Sequence, residues 1–133
     1  EKYSCGDEHS LRREPAVPFA LSFERIAKAH VLLNVSPIFN RGMHDRVPAG
    51  MANHAVVLTD ENPYLRRTFT DGKELLFYSL EKPDTLCEQA ERTLTDVRLR
   101  EKIAASAYET FEREYTWKRR AEQILAFAEE VEA

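Results

Sequence analysis

The sequence predicts an α/β fold: a small, Rossmann-like parallel sheet with flanking helices and a helix-rich C-terminal half. Three observations carry this. The apolar runs His30-Val31-Leu32-Leu33-Asn34-Val35 and Ala55-Val56-Val57-Leu58 read as strands, and the polar, glycine-bearing stretch between them reads as a loop and a short helix. Strand, helix, strand makes a βαβ unit with a right-handed crossover, and its loop lies at the carboxyl end of the first strand, where open α/β sheets bind phosphates and sugars. A further helix, a third strand and three more helices follow, and parallel strands are normally covered on both faces. Three strands make a small sheet, so the expectation is the second half of a doubly wound domain whose first βαβ lies upstream.

Each element has its own signal. Residues 1 to 16 are polar and aperiodic, and read as loop, edge strand or the tail of another unit. From Ser22, an N-cap type, Phe23, Ile26 and Ala27 fall at helical spacing and lead into the strand at 31 to 35. The short helix of the crossover begins near His44 and contains Pro48, which is expected to shorten or kink it. After the second strand, Thr59 to Pro63 is turn and cap chemistry, with Asp60 a good N-cap and Pro63 suited to the first turn of a helix running to about Phe69. Asp71-Gly72 turns the chain into a third strand over 73 to 78. Glu81 to Asp84 starts a helix with Leu86, Ala90 and Leu94 four apart, and Thr95-Asp96 opens the next, 97 to 114, with Leu99, Ile103, Ala107 and Phe111 in a stripe. Thr116 caps the last helix, which carries Trp117, Ala121, Ile124, Leu125, Ala128 and Val131. Trp117 with Ile124 and Phe127 is expected in the core; the alternative is a helix that crosses to another domain or pairs with a second copy.

Composition bounds the function. A chain of 133 residues, 43% apolar and 32% charged, suits one compact domain over 1–133. A net charge of −4 lacks the broad basic face of a nucleic-acid binder, so any phosphate recognition must be local. Cys5 and Cys87 are too few for a disulfide framework or a clustered zinc site and read as free thiols of a reducing compartment, which with an unsignal-like amino end points to the cytoplasm. No run approaches the ~18 apolar residues of a spanning helix. A first residue other than methionine, Glu1, suggests a piece of a longer chain.

The run from Leu33 to Asp60, then Asn62-Pro63-Tyr64-Leu65, Asp71-Gly72-Lys73-Glu74, Tyr78 and Tyr115-Thr116-Trp117 resembles the carboxyl-terminal domain of group 1 glycosyltransferases with the GT-B fold. It is most similar to the branch related to spore maturation glycosyltransferases, which has a Gly-x-His-x-Arg-Val loop, a Met-Ala pair on the following helix and a second strand ending in Thr-Asp. The resemblance implies transfer of a sugar from a nucleotide diphosphate sugar to an acceptor, generally without a bound metal or other cofactor. It also implies an amino-terminal acceptor domain of about 150 residues or more that this chain lacks, so the fragment alone is expected to be inactive.

The loop makes physical sense as a diphosphate cradle. Gly42 lets backbone approach an anion, and the helix start near His44 aims unpaired N–H groups at it. Arg46, and Arg41 beside it, can add charge-assisted hydrogen bonds, while His44 can donate to the departing diphosphate and is the candidate catalytic residue. Asp60 and Glu61 end the second strand on the ligand side and complete the candidate set. The bland alternatives are a solvated helix start with His44 or Arg46 paired to Asp45 or Glu61, a surface role for Arg41, capping by Asp60, and structural roles for His30 and His54. A metal-dependent phosphohydrolase using His44, Asp45, His30 and Asp60 is disfavoured because His30 and Asp60 border strands. Two positions depart from the family pattern. Ala49 stands where many group 1 enzymes have a ribose-binding glutamate, and Arg41 where they have the first glutamate of a spaced pair. The competing reading is therefore a non-catalytic binding or scaffold module derived from the same fold.

Overall fold

The computed structural model describes residues 15–132; the expectation for residues 1 to 16 lies almost wholly outside them. The order is α1 (Phe19–Ile26), β1 (Val31–Asn34), α2 (Arg46–Ala52), β2 (Val56–Asp60), α3 (Pro63–Thr68), β3 (Leu76–Tyr78), α4 (Asp84–Thr95), α5 (Val97–Glu114) and α6 (Trp117–Glu132). The three strands form a parallel sheet in the order β1-β2-β3. Val31 pairs with Val56 and Asn34 with Thr59 on one side of β2, and Leu58 with Leu76 and Asp60 with Tyr78 on the other. This is the expected α/β, Rossmann-like arrangement.

The central strand explains why the sheet forms. Every residue of β2 is buried, and strand alternation divides its side chains between two apolar layers. Val57 joins Val47 and Met51 of α2, Leu65 of α3, Phe77 and Ala107 of α5 on one face. Val56 and Leu58 join Leu76, Tyr78, Ile103 and Ala104 on the other, where Leu86 and Ala90 of α4 pack. The predicted α5 stripe is thereby confirmed, with Ile103 and Ala107 fully buried.

Several local expectations are corrected. Helix α1 starts after Pro18, not Ser22, which lies inside it and donates its hydroxyl to the Phe19 carbonyl at 2.5 Å. Pro48 does not interrupt α2, a helix of only seven residues. It is the third helical residue, in the first turn where backbone N–H groups have no intrahelical partner, and the neighbouring Val47 and Ala49 N–H groups bond the His44 and Asp45 carbonyls. The strand expected over 73 to 78 keeps only Leu76–Tyr78. Gly72 adopts φ 76°, and the Glu74 carboxylate accepts the Thr70 N–H at 2.9 Å, making the preceding residues a turn. Asn62, not Asp60, caps α3 by accepting the Leu65 N–H at 2.7 Å. Thr116 caps α6 as expected, accepting the Arg119 N–H at 3.2 Å. The core expectation for Trp117, Ile124 and Phe127 fails. α6 packs to any extent only on α5, and Trp117 is 90% exposed.

The free-thiol expectation fails as well: Cys87 is disulfide-bonded, and Cys5 lies outside the described residues. This removes the argument from thiols for a reducing compartment. Among the described residues, no helix is long and apolar enough to cross a membrane.

Candidate functional site

At the carboxyl end of the sheet the three strands deliver a buried polar network. Asn34 Nδ2 donates to Thr59 Oγ1 at 2.9 Å, and the Tyr78 hydroxyl donates to the Asn34 carbonyl at 3.0 Å. Asp60, 1% exposed, accepts the Ser36 N–H at 2.8 Å. One bond from each strand end therefore fixes where the chain leaves β1. Burial, then the nearby Asp60 carboxylate, pushes the Tyr78 phenol up to about 12, partly opposed by Arg46. Tyr78 thus stays a neutral donor.

The loop from Ser36 to Asp45 is built on this base. Phe39 N–H closes a turn onto the Ser36 carbonyl at 3.0 Å, and Asn62 Nδ2 donates to the Phe39 and Gly42 carbonyls at 3.0 and 3.4 Å. Asn62, missing from the sequence-derived site set, therefore pins the loop with one end of its amide and caps α3 with the other. Its signal was an Asn directly before Pro63, an N-cap followed by a proline at the first helical position. Gly42 has a packing reason for lacking a side chain: a Cβ there would lie 3.1 Å from the Phe39 ring.

Arg46 and His44 lie beside each other at the start of α2, and His44 also meets Asp45, the pairing named as the bland alternative. Arg46, partly buried, donates through Nη2 to the Val35 carbonyl and through Nε to His44 Nδ1, both at 3.3 Å. His44 Nδ1 also meets the Asp45 carboxylate. One nitrogen cannot accept from Arg46 and donate to Asp45 at once, so neutral imidazole favours the first partner and imidazolium the second. Arg46 thus spans the end of β1 and the start of α2.

The other candidates are placed differently. Arg41 is exposed. Asp60 spends its carboxylate on Ser36, beneath the loop rather than on its surface. Glu61 forms a two-bond ion pair with Arg66, at 2.6 and 3.3 Å, and Arg66 in turn stacks over the Phe77 ring at 4.1 Å. Glu61 is therefore committed to α3. His54 follows the end of α2 at φ 55° and stacks on Tyr108 with ring centroids 4.1 Å apart, a structural role. Among the described residues, no group of three or more His, Cys, Asp or Glu is placed to hold a metal ion.

Two features adjoin the cradle. Helix α2 packs against the sheet at Gly50, where a Cβ would lie 2.5 Å from Val57 Cγ2 and 2.9 Å from Leu32 Cδ2. On the outer side of α2, a mainly apolar groove of about 750 Å³ runs between α1, α2 and the α5–α6 junction, lined by Phe23, Arg46, Ala49, Phe111 and Trp117 among others.

No curated protein matches this chain. A family model described as glycosyl transferase-like matches residues 5–126, which takes in the whole sheet, the polar network and the Arg46 loop. The chain belongs to this glycosyl transferase-like family.

Proposed function

We propose that this chain is the donor-binding domain of a group 1, GT-B glycosyltransferase, of the spore maturation-like branch, and that the loop from Arg41 to Arg46 receives the diphosphate of a nucleotide diphosphate sugar. The observation that carries the reading is the position of Arg46. It is anchored to the Val35 carbonyl at the carboxyl end of β1 and braced against His44, at the point where a parallel sheet opens toward ligands.

In the transfer, the bond from the sugar's anomeric carbon to the diphosphate oxygen breaks as a bond to the acceptor oxygen forms. Negative charge grows on the departing diphosphate. Arg46 offers it a guanidinium, and His44 a hydrogen-bond donor, without a metal having to supply that charge. Arg41, exposed, adds a cation at the rim. Asp60 and Glu61 support the site from behind instead of touching the donor. The acceptor and its activating base belong to an amino-terminal domain.

Isothermal titration with a panel of nucleoside diphosphates and their sugar conjugates tests this. Arg46→Ala should weaken binding by about 1.5 to 3 kcal/mol, the range for a hydrogen bond to a charged group. Equal affinity in wild type and variant would remove Arg46 from the cradle. The second reading, a scaffold module without donor affinity, is favoured by Ala49, which has no side-chain group for ribose hydroxyls. It requires that the wild-type chain bind none of the panel.

A further inference from the structure

Asp60 and Arg46 hold opposite ends of one peptide group. The register between β1 and β2 ends at Asn34 and Thr59, so the next peptide unit, the Val35 carbonyl with the Ser36 N–H, lies beyond the ladder. Asp60 Oδ1 accepts that N–H at 2.8 Å, and Arg46 Nη2 donates to that carbonyl at 3.3 Å. A peptide unit is planar, and its N–H and C=O point in opposite directions. Whatever fixes the N–H therefore aims the carbonyl.

The two ends sit in different surroundings. Asp60 and Ser36 are buried, whereas Val35 is exposed and Arg46 half-buried. The N–H is thus held from inside the fold, by an acceptor on the fully buried central strand, while the carbonyl is turned outward to the guanidinium. A carboxylate is a strong acceptor for such an amide. By polarising the peptide it also makes the carbonyl at the far end a better acceptor. The other bond of Arg46, from Nε, goes to His44 Nδ1, on a side chain that is itself half-exposed. Of the two anchors, the carbonyl is the one tied to the core.

We infer that Asp60 is a positioning residue: through the Val35–Ser36 peptide it sets where the Arg46 guanidinium stands, without meeting the donor. Its consequence for binding rests on the donor-site reading above, but the placement of Arg46 is measurable without any ligand.

NMR of the arginine side chains reads that placement, since a guanidinium held by hydrogen bonds rotates slowly about its Nε–Cζ bond. Asp60→Ala, and the bulkier Asp60→Leu that leaves no cavity, should both speed the rotation of Arg46 several-fold. Asp60→Asn keeps an oxygen for the Ser36 N–H and should stay close to wild type. Ile103→Val, a core change among residues packed on the sheet, should leave the rotation unchanged. Calorimetric titration with inorganic pyrophosphate reads the consequence. Asp60→Ala should weaken binding about tenfold, the effect of one hydrogen bond made by a charged group. With Arg46→Ala already present it should do so by less than about twofold, because the effect passes through that guanidinium. Rotation as slow in Asp60→Ala and Asp60→Leu as in wild type would overturn the inference. So would Asp60→Asn behaving like Asp60→Ala, Ile103→Val freeing Arg46 as much, or an equal loss of affinity with and without Arg46. If wild type binds neither pyrophosphate nor any nucleoside diphosphate, the donor-site reading fails, and the rotation rates still decide whether Asp60 positions Arg46.

Discussion

Replacing Gly50 by Ala probes the contact that seats the cradle's helix on the sheet. The new Cβ would lie 2.5 Å from Val57 Cγ2 and 2.9 Å from Leu32 Cδ2, whereas carbon atoms rest at about 3.5 to 4.0 Å. Relief therefore requires α2 to move away by about 1 Å. Val57 cannot yield, since it is a stiff β-branched residue on the fully buried central strand. Helix α2 cannot move freely either, because Val47 and Met51 are both fully buried on the same side. Overpacking of this kind costs about 1 to 3 kcal/mol, and the doubly blocked contact argues for the upper end. Alanine's better helix propensity returns about 1 kcal/mol, leaving a net loss of about 2 kcal/mol. For a chain of this size that is a fall of roughly 6 to 10 °C in Tm. Thermal and urea unfolding of Gly50→Ala, Val57→Ala and the double variant would measure it. The double variant should be more stable than the sum of the singles predicts by about 1 kcal/mol, since Val57→Ala removes the opposing methyl groups. A Gly50→Ala protein as stable as wild type, or strictly additive singles, would refute the contact as the reason for glycine.

Other expected outcomes follow from the polar network. Asn62→Ala removes the α3 cap and the tie to the Phe39 and Gly42 carbonyls, and should cost about 1 to 2 kcal/mol in urea unfolding; Asn62→Asp should keep the cap but not the tie, so loss of nucleotide affinity in both variants would assign that effect to the loop. Tyr78 gives a pH signature. With its folded pKa raised from 10.0 to about 12, the folded state holds a proton that the unfolded chain releases. Stability from this group is thus complete below pH 10 and is lost as pH rises toward 12, by at most ~3 kcal/mol. Tyr78→Phe should flatten that alkaline decline, and an unchanged profile would show that the phenol is not the group responsible.

Local chemistry made much of the fold legible. The α5 span and its buried stripe were readable because periodicity and an Asp96 cap act within a few residues. The second strand was readable because its apolar residues are buried on both faces, and the first because its apolar run is continuous although Leu33 stays exposed. The pairing of His44 with Asp45 was also readable, since they are adjacent at a helix start. Partners distant in sequence were not. Whether Asp60 faced a ligand or the Ser36 amide, 24 residues away, depended on the alignment of β1 beside β2. Glu61 could equally have served the loop until Arg66 settled over Phe77. The third strand shrank because Gly72 and the Glu74 carboxylate, which captures the Thr70 amide, make the residues before Leu76 a turn. Amphipathic patterning in α6 matched that in α5, yet one stripe is buried and the other bare. The sequence by itself determined which residues form elements and which face of each is apolar, because those follow from short-range sterics and spacing. Only the tertiary structure decided what each face and each carboxylate meets, because that is set by the path of the chain through space.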